Sequence, residues 1–197
     1  MADQWSPRTQ TRLRLAENSV ERLPTAKRVW RITIELRDVA PRVWRTILVR
    51  PNTKLHLLHR YLAGAMGWEE RHLFAFEING CEYLVPDRAY PSKRKAFDVR
   101  RYTLERVCPS LPRAFTYTYD FGDEWIHDVA IEGEEAAAYR KQYPICVDGA
   151  GDCPPEDFGG PSAYMEGQTD PAMQLCPQPF RLQSATWTMR DIQRGWR

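Results

Sequence analysis

The stretch Arg28-Val-Trp-Arg-Ile-Thr-Ile-Glu-Leu36 decides how the rest of the chain is read. Val29, Trp30, Ile32, Ile34 and Leu36 are apolar, while Arg31, Thr33 and Glu35 are polar, so Ile32, Ile34 and Leu36 share one face of a strand. Asp38-Val-Ala-Pro41 interrupts the pattern, and residues 43–49 resume it as a second strand. Pro51-Asn-Thr53 then offers a helix start with Thr53 as N-cap. Leu55, Leu58, Leu62 and Ala65/Met66 follow at helical spacing up to Gly67, which is suited to a C-cap. A strand, a strand and a helix thus open the ordered part.

Working outward, Asn79-Gly80 suits a type I′ turn between strands at 72–78 and 82–85. Residues 86–101, rich in Pro and Arg, read as a loop, and 102–107 as a short helix or turn. Residues 114–119 and 125–131 form a second expected hairpin, joined by Asp120-Phe-Gly-Asp-Glu124. A short helix is expected over 132–142 and loop beyond Tyr143, where Gly, Pro and Asp concentrate. The fold class is α+β: one roll of antiparallel strands packed against one main helix. Residues 1–27 lack an apolar period and read as a flexible, basic arm, 28–166 as the domain, and 167–197 as a tail.

The chain of 197 residues is 43% hydrophobic and 27% charged, the profile of a globular protein. No run approaches the roughly 20 apolar residues of a membrane span. The first residues lack the apolar segment of a secretory signal, so the cytoplasm is the expected location. The net charge of +2 conceals segregation: +8 over residues 1–60 and −11 over 114–170. Such halves can serve a polyanion and a cation, or can neutralise each other in the fold. The five cysteines, Cys81, Cys108, Cys146, Cys153 and Cys176, are an odd set without zinc-ribbon spacing, which points to reduced thiols.

Three constellations carry the chemistry. In Tyr119-Asp-Phe-Gly-Asp-Glu-Trp-Ile-His127, Asp120, Asp123 and His127 are candidate ligands of a divalent metal. As a structural turn, the same motif uses Asp120 as a cap and Gly122 at positive φ, with Phe121 and Trp125 packed. In Cys146-Val-Asp-Gly-Ala-Gly-Asp-Cys153-Pro-Pro-Glu-Asp-Phe-Gly-Gly160, Cys146 and Cys153 extend that ligand set. Glu156, Asp157, Gly159 and Gly160 complete the candidate functional loops. A Cys nucleophile would need His127 beside it. The third set is basic: Arg42 and Arg45 around Trp44, Lys93-Arg94-Lys95, and Arg100-Arg101 before Tyr102, suited to phosphate contact and base stacking. His56, His59 and His72 read as half-buried or surface residues.

Pro41-Arg-Val-Trp-Arg45, Ala65-Met-Gly-Trp68, His72-Leu73, the 117–127 motif, Tyr143-Pro-Ile-Cys146, Cys153-Pro-Pro-Glu-Asp157, Gly159-Gly160 and Tyr164 occur in order. In this the chain resembles the plasmid pRiA4b ORF-three-like family of plasmid and insertion-element passenger proteins. The resemblance covers residues 28–166 and implies a compact α+β roll, without implying an activity. Relatives place a second His at Phe74 and a further Cys at Phe158, so a metal site needing either is incomplete here. Their helical C-terminal region has no recognisable counterpart, which leaves an apolar edge to be covered.

Three functions follow as expectations. The first is a binding module for nucleic acid or a mobile-element protein, through Arg42, Trp44, Arg45, Lys93, Arg94, Lys95, Arg100 and Arg101. The second is a metal-dependent hydrolase using Asp120, Asp123, His127, Cys146, Cys153, Glu156 and Asp157. The third is structural, with the acidic loops docked on the basic first third.

Overall fold

The alternation over residues 28–36 becomes an interior strand of an eight-stranded sheet. In a computed structural model, residues 27–87, 95–111, 113–170 and 177–195 are described. The strands are β1 (Arg28–Leu36), β2 (Trp44–Val49), β3 (Phe74–Ile78), β4 (Cys81–Leu84), β5 (Ala96–Asp98), β6 (Arg113–Tyr119), β7 (Trp125–Ala136) and β8 (Ile145–Ala150). Their order across the sheet is β5-β4-β3-β6-β7-β1-β2-β8, antiparallel except where β4 and β5 run parallel. The helices are α1 (Leu55–Met66), α2 (Leu104–Val107), α3 (Gly160–Thr169) and α4 (Leu182–Arg194).

Trp30, Ile32, Ile34 and Leu36 of β1 face the core, as the period of two requires, and meet Leu55, Leu58 and Leu62 of α1. Gly67 ends α1 at φ 104, as its position suggested. Asn79 and Gly80 both take positive φ (54 and 70), the type I′ combination. Thr53, by contrast, is not the N-cap: Lys54 holds that position, without a side-chain cap. The helix start is instead held by a neighbouring segment, with Leu55 N–H donating to Tyr102 O and Leu104 N–H to Thr53 O.

Four other expectations are corrected. Residues 96–98 of the expected 86–101 loop form β5, beside a 3₁₀ turn at Val99–Arg101. Residues 132–136 are not helical but extend β7, because β1 offers them a partner: Arg28 pairs with Ala136 and Trp30 with Glu134. Residues 145–150, expected as loop, pair with β2 as an edge strand. The C-terminal region carries α4, whose Ala185, Met189 and Ile192 are buried in the main core. Gly64 of α1 makes room for it, since a Cβ there would lie 2.9 Å from Thr188 Cγ2. The apolar edge is therefore covered.

The segregated charges meet on adjacent strands. Arg28 pairs with Glu134 and Glu105, Arg31 with Glu135, and Arg37 with Asp128. The arm at 1–26 lies outside the described residues.

Candidate functional site

The turn between β6 and β7 is built by its first residue. The positive φ expected at Gly122 falls instead on Asp120 (58) and Glu124 (52), and Asp120 Oδ1 accepts from Gly122 N–H at 2.9 Å and from Asp123 N–H at 3.4 Å. Short polar side chains tolerate that left-handed conformation because they bond their own backbone. With Oδ1 so occupied, Oδ2 is left to face outward from the turn.

The Pro-Pro-Glu-Asp-Phe-Gly-Gly segment packs directly on this turn. Gly159 N–H donates to Asp123 Oδ2 at 2.8 Å. Gly160 lies so close that a Cβ on it would stand 2.3 Å from Asp123 O. Glu156 accepts from Glu69 N–H at 3.0 Å and from the Tyr119 hydroxyl, which itself accepts from Arg71 N–H. Trp68 stacks on Tyr119 and donates from Nε1 to Pro154 O. Three sequence-distant segments, 68–72, 120–124 and 154–160, are thereby locked together.

His72 sits where they meet. Its Nδ1 is 3.3 Å from Asp120 Oδ2, and its Nε2 is 3.1 Å from Asp157 Oδ1. One ligand atom from each of the three lies within 4.8 Å of the others, and this is the one such His/Cys/Asp/Glu group among the described residues. Asp120 is buried, His72 half-buried, and the Asp157 side chain is 62% exposed, so the group opens to solvent on one side. Asp157 is also held at positive φ (57), as are Glu70 (65) and Glu124 (52) nearby. Such strain persists only where surrounding contacts enforce it.

Of the candidate ligands read from the sequence, Asp120 and, from the hydrolase set, Asp157 lie in this group, whereas Asp123 accepts from the Gly159 amide. His127 and Trp125 point into the core at 0% exposure. His127 Nδ1 faces Tyr117 O at 3.3 Å, and burial pushes its pKa down to about 4, so the ring is neutral. Cys146 and Cys153 are buried near Arg45, away from the cluster. Burial pushes the Cys146 thiol up to about 11 and that of Cys153 higher still, the opposite of an activated nucleophile. Phe74 stacks on His59 at 3.5 Å and Phe158 packs edge-on against Tyr164, so both positions are filled by rings. His59 bonds the Tyr117 hydroxyl at 2.7 Å within the core.

The basic set does not form one surface. Arg45 is fully buried and donates to the carbonyls of Trp44, Ala65 and Ala150, with its guanidinium 3.9 Å from the Phe180 ring centre. Phosphate contact by Arg45 is thereby ruled out. Arg42 makes two bonds to Glu35 and lies over Trp44, while Arg100 makes two to Asp98. Lys95 lies over Phe97, and Arg101 is largely exposed. Lys93 and Arg94 lie outside the described residues.

Sequence reasoning passed over His72, whose two partners belong to other loops; its place just before a strand carries no local pattern. Tyr119, the hydroxyl that joins two of the segments, was visible only as a strand residue.

A family model matches residues 28–171, a span that holds all three segments. The chain belongs to the plasmid pRiA4b ORF-3-like family. Within reach of this family is the uncharacterized protein y4hQ of Sinorhizobium fredii, 36% identical over 139 residues, which span 70% of each chain. The crystal structure of MM3350 from Methanosarcina mazei Go1, a protein of unknown function, superposes with a TM-score of 0.71 at 23% identity, covering 80% of this chain and 96% of that one. That likeness establishes the shared fold. The family match ends before α4 begins. No helix among the described residues is long and apolar enough to cross a membrane.

Proposed function

We propose that this pRiA4b ORF-3-like protein is a binding module whose centre, His72 with Asp120 and Asp157, takes a divalent transition-metal ion. The observation that carries the reading is that one imidazole faces two carboxylates from two different turns. An imidazole nitrogen can present a lone pair, and one ligand atom from each of the three residues lies within 4.8 Å of the others. A divalent cation would satisfy the lone pair and both carboxylates together. Local charge favours it too, since Glu69, Glu70, Asp120, Asp123, Glu156 and Asp157 gather there, while the neighbouring Arg60 and Arg71 are each paired with one of them.

Imidazole plus carboxylate oxygen suits zinc, manganese or iron better than calcium. Three protein ligands would leave positions open for water or a substrate oxygen, and bound water is acidified toward neutral pH. Hydrolysis is the chemistry open to such a centre, so the ion site and the hydrolase expectation share one test. Of the residues named for nucleic acid, Arg45 is buried, Arg42 and Arg100 are ion-paired, and Arg101 is largely exposed.

Elemental analysis and thermal shift on the purified full chain test the proposal. About one equivalent of metal and a concentration-dependent rise in Tm are expected, both abolished by His72→Ala and reduced by Asp157→Asn. Asp157 is exposed, so that variant should fold. Less than about a tenth of an equivalent with no rise in Tm would leave His72 as a purely structural link between the two turns and overturn the reading.

A further inference from the structure

The cations of β1 and β2 are mostly answered by carboxylates, but among the described residues Arg140, Lys141 and Arg190 are not. The turn after β7 carries Tyr139, Arg140 and Lys141, all exposed, with Tyr139 86% exposed. Arg140 stands over the Tyr139 ring at 5.0 Å. The outward face of α4 adjoins this turn: Arg190 Nη2 donates to Gln142 O at 3.2 Å, and Arg194 Nη2 to Gln142 Oε1 at 3.3 Å. One turn before Arg190 on that helix stands Trp187, 60% exposed although α4 buries Ala185, Met189 and Ile192 on its other side. Residues three apart on a helix share a face, so Trp187 and Arg190 belong to one surface. No carboxylate pairs with Arg140, Lys141 or Arg190 among the described residues, in contrast to Arg28, Arg31, Arg37, Arg42 and Arg100.

We infer that this surface binds single-stranded nucleic acid, its phosphates on Arg140, Lys141 and Arg190 and its bases stacked on Tyr139 and Trp187. Exposed rings spaced among unneutralised cations match what an unpaired strand presents: a charged backbone and free base faces. A duplex hides those faces, and its major groove is read by an element that projects into it. Here the rings stand exposed on a turn and on the helix bonded to it. A protein partner would prefer a contiguous apolar centre, whereas these two rings are separated by charged side chains. The surface lies apart from His72 and does not depend on it.

Fluorescence anisotropy of a labelled 20-nucleotide oligo-dT, with the full chain at several salt concentrations, tests the inference. Wild type is expected to bind with affinity falling steeply with salt. Arg140→Glu with Lys141→Glu should weaken binding by more than about tenfold and lower the slope of log K against log salt by about 1.4, the contribution of two phosphates on a single strand. Trp187→Ala should weaken binding by about five- to a hundredfold with the slope unchanged, as loss of one stacked base requires. All are surface positions, and an unchanged far-ultraviolet spectrum certifies folding. Absence of binding at 50 mM salt (about 10 µM protein), binding that these variants leave within about twofold, equal affinity for duplex, or Trp187 burial in anionic vesicles without oligonucleotide binding would each overturn it.

Discussion

Gly160 shows how narrow the tolerance at the site is. It holds φ 84 and has Asp123 O where a side chain would begin. An alanine must both enter the left-handed region and push back a backbone carbonyl, which cannot swing aside as a side-chain tip can. Gly160→Ala is expected to cost about 3 kcal/mol, measured by urea unfolding, and to free the 154–160 segment for proteolysis. Arg45 is a contrasting case. From the sequence it looked like a phosphate contact because it flanks Trp44, yet alternation along β2 sends it to the inner face. There it closes carbonyls at the end of α1 and beside β8, at the expense of a charge held without a carboxylate partner of its own.

At the scale of elements, the inner face of β7 and the α1 helix carry two histidines that burial keeps neutral. The His59 pKa is pushed down to about 3 and that of His127 to about 4, both mainly by desolvation. In the unfolded chain each titrates near the ordinary 6.5, so the unfolded state binds more protons than the native one between that value and about 4. Stability is thus fully present above pH 6.5 and declines as pH falls through this window, by about 6 kcal/mol at pH 4. Chemical denaturation from pH 7 to 4 checks this. His127→Phe should flatten the curve without reversing it, because His59 remains. The helix and strand bearing these residues were legible because their periodicity is local. The extension of β7 through Glu132–Ala136 and the whole of β8 were not. Glu- and Ala-rich sequence favours helix in isolation, and Gly- and Asp-rich sequence favours turns. Only β1 and β2, distant in sequence, supply the ladders that override those preferences. His72 was illegible for the same reason, being defined by what two remote turns bring to it.

For the molecule as a whole, α4 is the element on which integrity rests most visibly. It packs on α1 and β8, filling the edge that the family-matched part of the chain leaves open. Met189 is fully buried there, and Met189→Ala should destabilise the protein by about 2–5 kcal/mol, read as a lowered urea midpoint with unchanged slope. Truncation after residue 170 would remove Met189 and Ile192 together and bare the same surface.

The strand order has a consequence for how the protein is made. Among the described residues β1 is the earliest strand in the sequence, yet it lies between β2 and β7, and its Arg28 pairs with Ala136. On the ribosome, β1 and β2 can zip into a hairpin at once, but one edge of β1 stays bare until β7 emerges, its first partner His127 lying roughly ninety residues beyond Leu36. Through that interval the nascent chain displays an unpaired apolar strand, open to any neighbour with a free edge, so birth is the stage of this protein's life at which it most needs a chaperone.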